Sequence, residues 1–325
     1  MVVWQSVLIS AVVVTLYTYV GGMWAISITD FIQSIIIIIG LLLLAFVLSQ
    51  KAGGLGTVLD KIPREDLRFF PKFEFKEIMI YLAAWSVLGL GSIPSQDVFQ
   101  RCMSSGSAGT AIRSCFYAAG LYLTIAMLPI FISVCAQQMY GDQLSGDAQL
   151  ALPNMVLMHM NLPIQILFFG SLLSAIMSTA SSAILAPASI FSENLVKPLF
   201  RHKLDDKHFL LLTKISVLIF SAVATLMACL RSNIYELVGE SSILSLVSLF
   251  IPLVMGLYWK RASRVGAMIA MVAGIITWII FEVYETSWPS LLPATLASLI
   301  GMIGGSLQWP QEEKEYDQDR TQSIE

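Results

Sequence analysis

Runs of about 20 apolar residues recur from one end of this chain to the other, and each is long enough to cross roughly 30 Å of hydrocarbon. Nine such spans can be drawn, over 2–20, 25–48, 78–94, 112–136, 163–187, 209–230, 234–258, 265–283 and 290–307. A soluble domain would need polar surface over most of its helices. Here 56% of the 325 residues are hydrophobic and 13% are charged, against about 25% charged in ordinary soluble proteins. The predicted fold class is therefore all-α, a polytopic transmembrane helix bundle. Residues 1–309 make up the membrane region, and 310–325 form an acidic tail read as solvated and disordered. The first apolar run has no basic leading stretch and continues into more membrane-type sequence, so its insertion signal is read as the first span itself.

An odd number of spans puts the termini on opposite sides of the bilayer, and lysine and arginine in the loops orient them. One set of loops holds Arg101 and Arg113, then Lys197, Arg201, Lys203 and Lys207, then Lys260, Arg261 and Arg264. The opposite set holds no base between Gln137 and Leu162 and one at Arg231, but its first loop carries Lys51, Lys61, Arg64, Arg68, Lys72 and Lys76 among acids. The clean loops orient the chain in a cell membrane with Met1 external and the C-terminal tail cytoplasmic. Net charge is −3, with much of the acid in the tail. No basic face for nucleic acid is visible.

Within the fifth span, Ser171, Ser174, Ala175, Ser178, Ser182 and Ser189 recur at helical spacing, which makes one face small and polar. Two readings are open. Small hydroxyl residues line helix interfaces in bilayers because they permit close packing. Alternatively, Ser178 and Thr179 offer hydroxyl oxygens beside carbonyls to a hard cation such as Na⁺. Pro187 either kinks this helix or marks its end.

The third span carries Gly89, Gly91 and Pro94 within two turns, a combination that breaks helices. Backbone freed at membrane depth needs a cavity, an ion or a substrate to satisfy it, unless Pro94 simply ends the span. Asp97 and Arg101, four residues apart, read as a mutual ion pair. Asp30 follows the tight Gly21-Gly22 connection and Glu240 lies near the start of the seventh span. Both are costly groups in a membrane, read as an anchor and an interfacial residue rather than as site residues.

His159, His202 and His208 have no carboxylate or cysteine at metal-ligand spacing. Cys102, Cys115, Cys135 and Cys229 are scattered in or beside apolar segments and read as small hydrophobes. No glycine-rich phosphate loop appears, so ATP is not the evident energy source.

Three stretches, covering 16–33, 93–101 and 174–182, together resemble the sodium:solute symporter family. They read LYTYVGGMWAISITDFIQ, IPSQDVFQR and SAIMSTASS, and they follow the family's order across 2–258. The second is similar to choline-type and generic bacterial members. The resemblance implies a core of five-plus-five inverted-repeat helices with solute and sodium bound near the membrane middle. This core is partial here. The first span resembles the fourth core helix, so the three core helices before it are not in this sequence. Ala175, through its carbonyl, and Ser178 and Thr179, through their hydroxyls, match the eighth-core-helix half of the family's sodium site. Gly91, Ser92, Pro94 and Gln96 fall on the sixth core helix, whose middle faces the solute. Ser181 departs from an aspartate found in many members.

The function so implied is secondary active transport of a small organic solute, such as choline or proline, coupled to sodium entry by alternating access. Sodium is then the coupling ion, no cofactor is called for, and the chain is not an enzyme. Its partners are the solute, the lipid bilayer and a complementing N-terminal fragment. A transporter-like membrane sensor and a nonfunctional remnant are the competing readings.

Overall fold

A computed structural model describes residues 3–63, 68–141, 147–199, 205–230, 233–284 and 288–310. The acidic tail and the loop residues Arg64, Arg201, His202, Lys203 and Arg231 lie outside the described residues.

Helix α1 (Val3–Lys51) spans 49 residues, which as a straight rod would reach about 70 Å, more than twice the hydrocarbon thickness. It does not run straight. Gly22 adopts φ 54°, ψ −163°, a backbone region essentially closed to residues with a Cβ. The chain turns back there, so that the Tyr17 and Thr29 hydroxyls meet across the turn. The two arms correspond to the first two expected spans, joined by a single glycine rather than by a loop. Among the described residues, eight helices are long and apolar enough to cross a membrane, and the first of them, Trp4–Lys51, contains both arms.

The chain divides into two units, one over Met1–Arg68 and Gln100–Leu230 and the other over Phe69–Phe99 and Arg231–Glu325. In the first unit, α1 is followed by the short α2 (Leu55–Asp60). The second unit begins with α3 (Phe75–Gly91), and α4 (Gln96–Met103) crosses from one unit to the other. Back in the first unit come α5 (Ala108–Thr124), α6 (Leu128–Tyr140), α7 (Ala151–His159) and α8 (Leu162–Ile190).

Pro187 does not end α8. The helix continues to Ile190 and passes through a π-helical turn, Phe191–Val196, into the single turn α9 (Lys197–Leu199). Proline has no N–H to donate, and widening to π geometry lets the next donors find other carbonyls. The first unit closes with α10 (Asp206–Leu230).

Two apolar clusters hold this unit together. Leu44, Leu48, Val58, Ile132, Cys135, Met155 and Val156 join the second arm of α1 to α2, α6 and α7. Val14, Ile26, Ile184, Leu185 and Val217 join both arms of α1 to α8 and α10. Large apolar side chains such as Trp24, Phe31, Phe116 and Leu123 point outward instead, as suits helices solvated by lipid.

The second unit contains α11 (Ile234–Ser245), a π turn over Leu246–Phe250, α12 (Ile251–Tyr258), α13 (Arg264–Val283) and α14 (Leu291–Gln308). Ala83, Leu246, Val247, Leu291 and Ala294 form its core. Ser263 caps α13 by accepting from the Gly266 N–H at 3.1 Å. The Ser306 hydroxyl of α14 in turn accepts from the Ser263 N–H at 3.1 Å.

Candidate functional site

The small-polar face of α8 lies against α1. Ser171 donates to the Ile36 carbonyl of α1 at 3.0 Å as well as to Leu167 on its own helix. This is the packing use of a small hydroxyl. Two turns further along, the same face meets a charge. Ser178 donates to Asp30 Oδ1 at 2.7 Å, and the other carboxylate oxygen, Oδ2, accepts from Arg101 Nη2 at 2.6 Å. Arg101 also donates to the Ser182 hydroxyl, one turn beyond Ser178.

Asp30 and Arg101 were expected elsewhere, the first as an anchor and the second paired with Asp97. The structure corrects the ion pair. Arg101 reaches back to Asp30, and the Asp97 carboxylate accepts instead from the Ser95 hydroxyl. Asp30 lies in the second arm of α1, eight residues past the Gly22 turn, and its side chain is 18% exposed. A carboxylate this deep in an apolar helix is costly unless paired. Its two partners satisfy both oxygens and leave lone pairs available. The signal was present in the sequence, an acid inside an apolar run, but the arginine that answers it lies 71 residues away.

Of the three expected sodium ligands, Ala175, Ser178 and Thr179, the spacing i, i+3, i+4 keeps all three on one face of α8. Ser178 and Ala175 are half-buried and Thr179 is exposed. When Ser178 gives its proton to Asp30, its oxygen keeps lone pairs for a cation. Gln33 lies one turn after Asp30 on the same arm, and its Oε1 is buried with no hydrogen-bond partner. A buried acceptor left without a donor calls for an explanation, and a nearby cation is one that suits an oxygen donor set. Ser181 is fully buried and donates to the Ser178 carbonyl at 3.1 Å.

The solute candidates Gly91, Ser92, Pro94 and Gln96 lie on the break between α3 and α4. The helix stops at Gly91, turns through 92–94 and resumes at Gln96. Gly91 is buried, and a Cβ there would fall 2.4 Å from the Ser242 carbonyl oxygen of α11. Its lack of a side chain is thus accounted for by helix packing within the second unit. Ser92 is exposed, and Pro94 and Gln96 are half-buried.

His159 stacks on Tyr140 with centroids 4.0 Å apart, and its carbonyl accepts from Lys51 Nζ at 2.9 Å. Its role is thereby structural. A cavity of about 590 Å³ lies between the first arm of α1 and α10, lined by Leu8, Val12, Thr15, Ser221 and Leu226 among others. It does not include Asp30 or Ser178.

The decisive comparison is with a family model, which matches residues 1–274 under the description sodium:solute symporter family. The chain belongs to that family. It is accordingly a multi-pass membrane protein. Among curated relatives, it is 34% identical over 285 residues to the human (Homo sapiens) high affinity choline transporter 1, covering 83% of this chain and 48% of that protein. It is 30% identical over 317 residues to the high-affinity proline transporter PutP of Bacillus subtilis (strain 168), covering 90% of this chain and 62% of that one.

The chain therefore spans about half the length of the choline transporters it matches. A solved structure described as the substrate-bound outward-open state of a Na⁺-coupled sialic acid symporter superposes with a TM-score of 0.79. It has 18% identity and covers 94% of this chain and 67% of the other. That likeness establishes the fold, a helical bundle of the expected all-α class.

Proposed function

We propose that this chain forms the sodium-coupled half of a secondary transporter that moves a small organic solute by alternating access. The observation that carries the reading is the cluster of Ser178, Asp30 and Arg101 at the α1–α8 contact, with the unpartnered Gln33 Oε1 one turn away. Sodium is a hard cation that takes several oxygen ligands. In this reading it binds the Ala175 carbonyl and the Ser178 and Thr179 hydroxyls, and the Asp30 carboxylate supplies negative charge that lowers the cost of admitting the ion. Arg101 sets a limit on that charge, since its guanidinium pairs with the same carboxylate. The remaining ligands come from further helices of the transporter, on a longer form of the chain or on a complementing N-terminal fragment.

Ion binding on α8 that is stronger in one conformer than in the other favours that conformer. By reciprocal linkage it raises the affinity for solute there. The break over Ser92, Pro94 and Gln96 frees backbone groups from helical pairing, and such breaks supply solute contacts in transporters of this architecture. The relatives named for choline and proline make choline the first solute to test and proline the second. In this reading the C-terminus lies on the cytoplasmic side of a cell membrane, the side favoured by basic loops.

The test is uptake of labelled choline or proline into vesicles that carry this chain with a complementing N-terminal fragment, under an inward sodium gradient. Accumulation that stops when an ionophore collapses the gradient supports the reading. Accumulation that is the same with potassium in place of sodium contradicts it.

A further inference from the structure

We propose that Cys102 and Cys115 are a peroxide-sensitive thiol pair, closed by oxidation to a disulfide that ties the last turn of α4 to the second turn of α5. Their Sγ atoms lie 3.9 Å apart, so a bond of about 2.05 Å needs an approach of only about 2 Å. The helices that carry them are joined by the short polar turn Ser104-Ser105-Gly106-Ser107. Ser107 fixes the start of α5 by accepting from the Thr110 N–H at 3.2 Å. The pair is therefore held by local geometry within one unit of the fold.

Position matters as much as distance. Thr110, Arg113 and Ser114 lie at the start of the expected fourth span, a more polar edge than the run from Phe116 onward. Cys115 is exposed and Cys102 is half-buried. Cys135, by contrast, is fully buried in the α1–α6–α7 core. Hydrogen peroxide is small and uncharged and reaches such a boundary from water or from lipid.

The chemistry balances with one peroxide as the oxidant. The Cys115 thiol is oxidised to sulfenic acid as the O–O bond breaks and one water leaves. The Cys102 thiol then attacks that sulfur, forming the S–S bond and releasing a second water. Two thiols lose two electrons and two protons in total, and peroxide is reduced to two waters. A dithiol reductant reverses the step by exchange.

The bridge has a consequence for the site described above. Arg101 immediately precedes Cys102, so tethering this turn restrains the segment that delivers the guanidinium to Asp30 and Ser182. Oxidation is thereby a means of locking α4 in the arrangement seen here.

To test this, membranes containing the full 325-residue chain are treated with hydrogen peroxide, capped with N-ethylmaleimide and analysed by peptide mass spectrometry. The expected result is a linked Cys102–Cys115 peptide, lost on dithiothreitol treatment, with Cys135 and Cys229 still carrying free thiols. Cys102→Ser should abolish the link and leave a Cys115 sulfenic acid that dimedone traps. Because a variant can misfold, wild type is also probed with phenylarsine oxide, which bridges two thiols only when they are close. It should protect Cys102 and Cys115 together from maleimide. Links distributed among all four cysteines, or the absence of arsenical protection in wild type, would overturn the proposal. None of these measurements needs transport, so their failure is separate from failure of the sodium reading.

Discussion

Asp30 is the residue on which the polar interior of the first unit turns, because it receives a hydroxyl from α8 and a guanidinium from α4 at once. Replacing it with asparagine keeps its size and removes the charge that both partners address. Arg101 is 44% exposed, so water takes over part of the lost interaction. The expected destabilisation of Asp30→Asn is about 1–2 kcal/mol, seen as a lower melting temperature in detergent. Ser178→Ala removes one donor but leaves the arginine in place, and should cost about 1 kcal/mol or less. The reverse order would mean that the hydroxyl, and not the guanidinium, holds the carboxylate.

At the scale of elements, two glycines fix how helices turn and approach. Gly22→Ala places a Cβ on a backbone at φ 54°, ψ −163°, a strain of about 1–3 kcal/mol. It should lower the melting temperature of the chain without changing its helical circular dichroism. A gain in stability would show that the turn relaxes into ordinary geometry. Gly91→Ala drives a methyl group to within 2.4 Å of the Ser242 carbonyl oxygen. The backbones of α3 and α11 must then separate, and the expected readout is early unfolding of the second unit, measured as faster hydrogen exchange in α11. Unchanged exchange there would contradict the packing role.

These elements were legible in the sequence to different degrees. Apolar run length located, among the described residues, the helices long and apolar enough to cross a membrane, because hydrocarbon thickness sets a length that does not depend on tertiary contacts. The Gly89, Gly91 and Pro94 combination announced the break after α3 for a similarly local reason. The fate of Pro187 was not legible, since π widening depends on which carbonyls the next donors can find. The Asp30–Arg101 pair was hidden as well. Helical spacing made Asp97 the near partner, and only the approach of the last turn of α4 to α1 and α8 brings the distant one into reach. The thiol pair was missed because spacing in sequence says nothing about a turn that folds two helix ends together.

For the whole molecule, membership of the sodium:solute symporter family and the match to a symporter fold agree with a chain built of helices apolar enough to cross a membrane and carrying an embedded polar cluster around Asp30. The chain covers 48% of the human choline transporter, so coupling is a property to be measured on a form that transports. In the proposed function, sodium is bound by the hydroxyl face of α8. The most direct measurement is the sodium concentration giving half-maximal solute uptake in proteoliposomes, compared for wild type, Ser178→Ala and Thr179→Ala. Losing one ligand should raise that concentration on the order of tenfold, as about 1.4 kcal/mol of lost binding implies, with solute uptake at saturating sodium largely retained. A sodium dependence unchanged in both variants would contradict the account.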